Sequence, residues 1–377
     1  MTGSTEPLAV DSAWRAEAER AQEQALPSGS VVVSCSAPLG GGGLGRHAKE
    51  IMAALERRGQ PGSFVGEAGG ETEIAVPAAG RSARALGVAL MPLTRYSPAW
   101  RLWKASVAFD RQAAAILPPA EHLIGFNGTS LAQFRRARSG GRESVSLVSA
   151  TAHLRRLVRR HAEAHSRYPL ERSWATRVLA RNVGEYQLAD RIFASSRYVW
   201  ESFAEEGIDS EVLAHFPLTP DPRYAPDPSA AAAAEDFEIA YVGGLTVDKG
   251  VPLLIDAVRR LPYPDLRLKL VGGWKTRAMR RFVGEAIAAD ARIEVCPGDP
   301  LPRLRSARLY VHAAYSDGFG YAAAEALACG LPLLVSEDTG MKDLLEEGEN
   351  GIVLPTGDLD ALAGAIEAVY RRETPLA

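Results

Sequence analysis

Short apolar runs alternate with amphipathic stretches along almost the whole chain. "VVVSCSA", from Val31, reads as a buried strand. The glycine loop "PLGGGGLG" follows it, and "RHAKEIMAALERRG" sets Ile51, Met52 and Leu55 on one helical face, with Gly59 as the stop. "EHLIGFNG", "SVSLVSATAH" and "RIFAS" predict further strands, with helical stretches between them that include Ser173 to Leu188. Five prolines and an alanine run fill "PLTPDPRYAPDPSAAAAAED", and the pattern then restarts. Strands are predicted at "FEIAYVGGL", "LRLKLVGG", "RIEVCPG", "ARLYVHAA" and Leu331–Val335. Helices are predicted at "GVPLLIDAVRRL", "KTRAMRRFVGEAIA", Tyr321–Cys329 and Asp358–Tyr370. Alternation of this kind implies α/β architecture with two doubly wound parallel sheets. It divides the chain into a helical extension (1–28), a first domain (29–216), a linker (217–236) and a second domain (237–377). Two such domains are expected to face a cleft at the carboxyl ends of their strands, where α/β proteins bind ligands.

Composition narrows this little, but charge adds something. The 377 residues are 46% hydrophobic and 24% charged, which is ordinary for a globular protein. The N-terminus lacks the basic and apolar regions of a signal peptide, and no apolar run approaches a membrane span, so the cytoplasm is the expected compartment. Cys35, Cys296 and Cys329 are scattered and odd in number, without disulfide or metal-ligand spacing. The net charge of −3 hides an asymmetry: 26 Lys/Arg face 17 Asp/Glu in residues 1–200, and 17 face 29 in the rest. Such a basic half fits nucleic acid, a phosphorylated small molecule or an anionic membrane surface.

Three places carry candidate chemistry. Gly42, Gly43 and Gly45 lie in a glycine loop between a strand and a helix, where backbone can approach a ligand and the helix start favours anions. The loop fits a dinucleotide fingerprint loosely, because Glu67 stands in poor strand context, and a plain tight turn is the competing reading. Lys249, in "YVGGLTVDKGVPLL", stands at a helix start. The helix dipole disfavours a cation there unless both address one anion; otherwise it is a surface lysine. Asp317 and Glu325 stand eight residues apart in "SDGFGYAAAEALACGLPLLV". The turn Gly318–Phe319–Gly320 between them leads into the helix that carries Glu325 and offers N–H groups to phosphate. A carboxylate one turn into that helix suits a ribose diol, from which it accepts two hydrogen bonds. A solvated Asp and a surface Glu are the alternative.

Taken in order, these motifs resemble the group 1 (family 4) retaining glycosyltransferases of the GT-B fold. The similarity is carried by the acid–seven residues–acid stretch with its "ACGLP" exit, by "AYVGGLTVDKG", "TGMKDLLEEGENGIVL" and "GGLGRHAKEIMAALERRG", and by "EYQLADRIFASSRYVWESFAEEGI". It covers most of residues 30–370.

The resemblance implies transfer of a sugar from a nucleotide-diphosphate sugar to an acceptor hydroxyl with retention, without metal or other cofactor. Glu325 would bind the donor ribose, and Asp317, where the family usually has Glu, the donor sugar hydroxyls. Gly318, Phe319, Gly320 and Tyr321 would frame the sugar and diphosphate. Lys249 would neutralise the leaving diphosphate, Gly43 and Gly45 would let the N-terminal loop close over the reaction centre, and Gly42 would join them in binding substrate. His153, read as ending a strand, would face the donor sugar or acceptor; a surface histidine is its alternative. Gly244 stands where the family usually has Arg, which makes Lys275 and Arg277 the nearest candidates to supply the missing cation.

The expected partners are therefore a nucleotide-sugar donor and a small-molecule or lipid-linked sugar acceptor, with no nucleic acid. Arg95, Arg101, Lys104, Trp100 and Trp103, with Arg155, Arg156, Arg159 and Arg160, suggest a basic acceptor side or a peripheral contact with the inner membrane face. The chain stops short of the helix that in this family crosses back to the first domain, and residues 10–26 are expected to form a helix in its place. A non-catalytic sugar-nucleotide-binding relative, a glycoside hydrolase using Asp317 and Glu325 and a dinucleotide oxidoreductase are the rival readings.

Overall fold

The computed structural model describes residues 12–67, 73–76, 98–227, 229, 236–374 and 376. The chain forms two compact units. Among the described residues, the N-terminal unit comprises those within 16–158 and 172–218, and the C-terminal unit those within 12–15, 159–171 and 219–376. Residues 159–171, within the expected first domain, thus pack with the second: Ala164 is fully buried in its core, and Tyr168 and Leu170 lie against it. Part of the expected linker, at 228 and 230–235, lies outside the described residues.

In the N-terminal unit the strands are β1 (Val31–Cys35), β2 (Gly62–Glu67), β3 (Ile74–Val76), β4 (His122–Phe126), β5 (Ser144–Ser149), β6 (Arg191–Ala194) and β7 (Leu213–His215). They pair in parallel in the order β3-β2-β1-β4-β5-β6-β7. β1, β4 and most of β5 are buried on both faces, which is why they read as continuous apolar runs. The strand order reverses between β1 and β4.

The C-terminal unit holds β8 (Phe237–Val242), β9 (Leu266–Val271), β10 (Ile293–Cys296), β11 (Leu309–His312), β12 (Leu333–Ser336) and β13 (Gly351–Leu354). These also pair in parallel, in the order β10-β9-β8-β11-β12-β13. Here the reversal lies between β8 and β11, and in open parallel sheets ligands bind outside the carboxyl ends at that point. The helices Val251–Arg260, Arg277–Ala289, Tyr321–Ala328 and Leu359–Tyr370 fall where periodicity placed them. Thr276 and Asp358 cap two of them by accepting hydrogen bonds from N–H groups of the first turn. The short helix Leu301–Ser306 and the strands β2, β3, β7 and β13 were not read from the sequence.

Candidate active site

In the C-terminal unit the loops leaving β8, β9, β11 and β12 are fastened to one another by backbone. Gly243 and Gly272 have φ of +148° and +154°, and a Cβ on Gly272 would stand 1.8 Å from the Gly243 carbonyl oxygen. The β8 and β9 exits therefore run together to a bridge between Leu245 and Trp274. Gly250, at φ +71°, caps the next helix, and a Cβ there would strike the Ala313 oxygen at 1.8 Å. Tyr315 N–H donates to the Asp248 carbonyl (2.9 Å), tying the β8 loop to the β11 loop. Asp317 and Gly340 exchange backbone bonds with the 338–340 turn: Asp317 N–H to Asp338 O (3.1 Å) and Gly340 N–H to Asp317 O (3.0 Å).

Lys249 and Asp317 emerge on the two sides of the β8/β11 reversal and meet there. Lys249 Nζ lies 2.7 Å from Asp317 Oδ2, and the buried His312 approaches the same oxygen through Nε2 at 3.0 Å. Burial opposes ionisation of Asp317, but the Lys249 ammonium and the His312 hydrogen bond outweigh it and hold the carboxyl well below the usual range. Burial likewise works against the charge on Lys249; Asp317 and Asp248 more than restore it, so the amine stays an ammonium. Asp248 is held below its usual value despite burial, by His161, Lys249 and Lys275 among others. His161, buried in the same unit, is pushed down to about 4 by burial, with His165 and Lys249 acting in the same direction and Asp248 against it.

The turn after Asp317 places Gly320 at φ +86° as the helix cap, and a Cβ there would press on Met341 at 3.0 Å and sit 3.6 Å from His312 Nε2. Glu325 faces inward from the helix Tyr321–Ala328 at 3% exposure, not outward as a surface residue. Its charge acts on Tyr224 and Tyr310, whose hydroxyls are held above the usual range mainly by burial. Phe319 is buried beside Tyr321, ring to ring at 5.2 Å.

Gly244 has an ordinary backbone, and its missing side chain leaves room that Lys275 borders: a Cβ there would lie 3.9 Å from Lys275 Cε. Arg277 begins the following helix and is exposed. Glu171 joins the two loops, accepting from Val247 N–H (2.9 Å) and from the Thr276 hydroxyl (2.7 Å). Arg160 pairs with the fully buried Asp338 at 2.7 Å, and Thr356 donates to that same carboxylate.

In the N-terminal unit the glycine loop follows β1. A Cβ on Gly45 would fall 2.1 Å from the Pro38 oxygen, so the helix Gly42–Arg57 can start against the loop only with glycine there. Gly42 is left-handed at φ +58°, and neither it nor Gly43 has anything within 4 Å of a Cβ. Glu67, expected in poor strand context, instead ends β2, the neighbour of β1, in register just beyond the Cys35–Gly66 pair.

His153 does not end a strand: β5 stops at Ser149, and His153 precedes the helix Leu154–Arg167. It is buried, with its ring 4.8 Å from Tyr186 and 5.1 Å from Phe203, and Nδ1 accepts from Arg155 N–H. The arginines of that helix are largely neutralised within their own units. Arg155 pairs with Glu206, Arg156 with Glu205, and Arg160 with Glu163 and Asp338. Arg95 lies outside the described residues, as does the side chain of Arg101.

Sequence reasoning missed His312, Asp248, His161 and Glu171. A histidine inside the apolar run "LYVHAA" was the available signal for His312. Glu171 had none, since its partners lie 76 and 105 residues away.

Residues 227–376 match the family described as Glycosyl transferases group 1. The C-terminal domain belongs to the group 1 glycosyltransferases. The D-inositol 3-phosphate glycosyltransferase of Nocardia farcinica is 28% identical over 215 residues, covering 51% of this chain and 48% of that protein. The GDP-mannose-dependent alpha-(1-6)-phosphatidylinositol monomannoside mannosyltransferase of Mycolicibacterium smegmatis is 28% identical over 204 residues, 47% of this chain and 52% of its own. The chain thus spans about half the length of these relatives. Among solved structures, sucrose-phosphate synthase from Thermosynechococcus elongatus has a TM-score of 0.67 at 18% identity, covering 91% of this chain and 90% of the other. Anabaena Alr3699/HepE in complex with UDP-glucose has a TM-score of 0.62 at 18% identity, covering 92% and 91%. The two parallel-sheet units have the GT-B fold.

Among the described residues no helix is long and apolar enough to cross a membrane, and no group of three or more His, Cys, Asp or Glu gathers as a metal site.

Proposed function

We propose that this chain is a retaining glycosyltransferase of the cytoplasm that moves a sugar from a nucleotide-diphosphate sugar to an acceptor hydroxyl, with no resident metal. The observation that carries the reading is the meeting of Lys249, Asp317 and the Gly318–Gly320 turn at the β8/β11 reversal, with Glu325 buried in the helix that the turn begins. Two carbohydrate-active relatives and a UDP-glucose complex of the same fold support it.

In this reading the donor diphosphate lies against Lys249 and the start of the helix Tyr321–Ala328. Glu325 accepts from the ribose hydroxyls, and Asp317 turns to the hydroxyls of the transferred sugar. The bond from the anomeric carbon to the diphosphate breaks, and the nucleoside diphosphate leaves with the bonding electrons. The acceptor oxygen bonds to the same face of that carbon, and its proton passes to an oxygen of the leaving diphosphate. Fixed cations and N–H groups facing the leaving diphosphate lower the barrier, because negative charge grows there as the bond breaks.

The test is incubation with a panel of nucleotide sugars and hydroxyl acceptors, with the anomeric configuration of the product read by NMR. Transfer with retention supports the proposal. Sugar release to water from simple glycosides, or a nicotinamide absorbance change without transfer, would replace it with a hydrolase or an oxidoreductase. Tight nucleotide-sugar binding with no single-turnover transfer would leave a binding protein.

A further inference from the structure

Three helices of the N-terminal unit, Pro98–Ile116, Leu131–Ser139 and Ala175–Tyr186, enclose a cavity of about 330 Å³. Trp103, Asp110, Arg111, Leu131, Arg135 and Arg181 line it. Its charges divide into two sets. Asp110 is fully buried, ion-paired to Arg181, and accepts from the N–H groups of Ala132 (2.7 Å) and Gln133 (3.0 Å). Glu185 takes the N–H groups of Gly128, Ser130 and Leu131. The start of the helix Leu131–Ser139 is thereby filled by the protein's own carboxylates. Arg111 and Arg135 are different: both are exposed at the cavity, and neither has a carboxylate partner among the described residues. Trp103, about two turns before Arg111 on the same helix, also lines the cavity and is held by packing on the Leu154, Leu157, Ala175 and Val178 cluster and by a T-shaped contact with Trp100 at 5.3 Å. Arg177 stacks over Trp100 at 4.6 Å.

The geometry points to a binding site for a phosphate-bearing sugar or cyclitol, its phosphate taken by Arg111 and Arg135 and its ring lying on Trp103. Two guanidinium forks without a counter-charge suit phosphate oxygens, which accept them in parallel pairs. A half-buried indole offers an apolar face to the C–H side of a polyol ring and is rigid enough to do so at small entropic cost. The volume lies at the small end of the range for ligand sites and suits one ring with its phosphate. A lipid surface would call for a projecting apolar face; the exposed Leu102 and Ile116 of the helix Pro98–Ile116 do not line this concave site. The role of such a ligand as sugar acceptor rests on the transfer reading; its binding does not.

Calorimetric titration with soluble hexose and cyclitol monophosphates, and with the matching unphosphorylated polyols and inorganic phosphate, tests the site on the full chain. The variants are Arg111→Ala with Arg135→Ala, and separately Lys249→Ala. Both arginines are exposed, so the double variant should keep the wild-type melting temperature without ligand. At least one sugar phosphate should bind about tenfold or more tightly than either of its parts, and the double variant should lose about tenfold or more of that affinity. Lys249→Ala should leave it unchanged. Binding that survives the arginine changes, or that disappears with Lys249→Ala, places the phosphate elsewhere and overturns the proposal. So does failure of every sugar phosphate to bind. Arginine-dependent binding only to phosphatidylglycerol vesicles would overturn it in favour of a lipid headgroup. Failure here would leave nucleotide-sugar binding untouched, and the reverse also holds.

Discussion

Lys249 faces Asp317 at 2.7 Å, so a diphosphate bound as proposed would compete with a carboxylate for this ammonium. The competition predicts opposite effects from one change. Asp317→Asn should bind the nucleoside diphosphate at least as tightly as wild type, since Lys249 is released, yet transfer should fall on the order of tenfold or more as sugar hydroxyls lose a charged acceptor. Parallel loss of nucleoside diphosphate affinity would show that the pair does not compete with phosphate. Gly244 has Lys275 beside it, and the electrostatics at Asp248 already include Lys275. Changing Lys275 and Arg277 together to Ala should slow transfer about as severely as Lys249→Ala, because either change removes positive charge from one leaving group. A silent double variant, with Lys249→Ala still damaging, would leave Gly244 uncompensated. The acid pair, the lysine and the glycine turn were legible in the sequence as local patterns. The ion pair was not, because it joins residues 68 positions apart across a sheet whose strand order no local pattern reveals.

Alternating apolar runs and amphipathic stretches located the main strands and helices, since each is set by periodicity within itself. What fastens the elements together was invisible at that scale. Glu185 and Asp110 lie on two helices and fill the start of a third. Burial pushes Glu185 up to about 7, against the N–H groups of Ser130 and Gly128 and the Arg181 charge. Glu185→Ala would leave three N–H groups and part of Arg181 without a partner, and should cost roughly 3 kcal/mol or more of stability, read by denaturant unfolding. His47 gives the pH dependence. It is buried between Phe126 and Phe216 on the helix Gly42–Arg57, and burial pushes its pKa down to about 3. The unfolded chain takes up this proton near pH 6.5 and the folded chain only near 3, so the stability His47 allows is complete above the unfolded value and is lost as pH falls through that window. His47→Phe should flatten the fall in stability between pH 6.5 and 4. An unchanged slope would assign the acid sensitivity to other groups, His161 first among them.

For the whole molecule, the sequence already implied two parallel α/β domains, while the packing of residues 159–171 with the C-terminal unit was hidden. The reason is that Tyr168 and Arg160 find their partners, Asp256 and Asp338, far along the chain. The helix Ser12–Ala25 was legible, and it is fastened: Ala18, Ala25 and Leu26 are buried, Gln22 bonds Glu50 and the Pro217 carbonyl, and Glu23 pairs with Arg57. Removing residues 1–28 should lower the melting temperature on the order of 5 °C, and an unchanged value would make this helix dispensable. In the proposed function the C-terminal domain holds a nucleotide-diphosphate sugar, with Glu325 on the ribose and Lys249 on the diphosphate. A calorimetric cycle tests it most directly, pairing the preferred nucleoside diphosphate with its 2′-deoxy and monophosphate analogues, and wild type with Glu325→Ala and Lys249→Ala. The deoxy analogue should bind about tenfold more weakly than the ribose form to wild type but equally to Glu325→Ala, and the diphosphate's advantage over the monophosphate should disappear only in Lys249→Ala. Full ribose discrimination in Glu325→Ala, together with an unchanged diphosphate preference in Lys249→Ala, would contradict it.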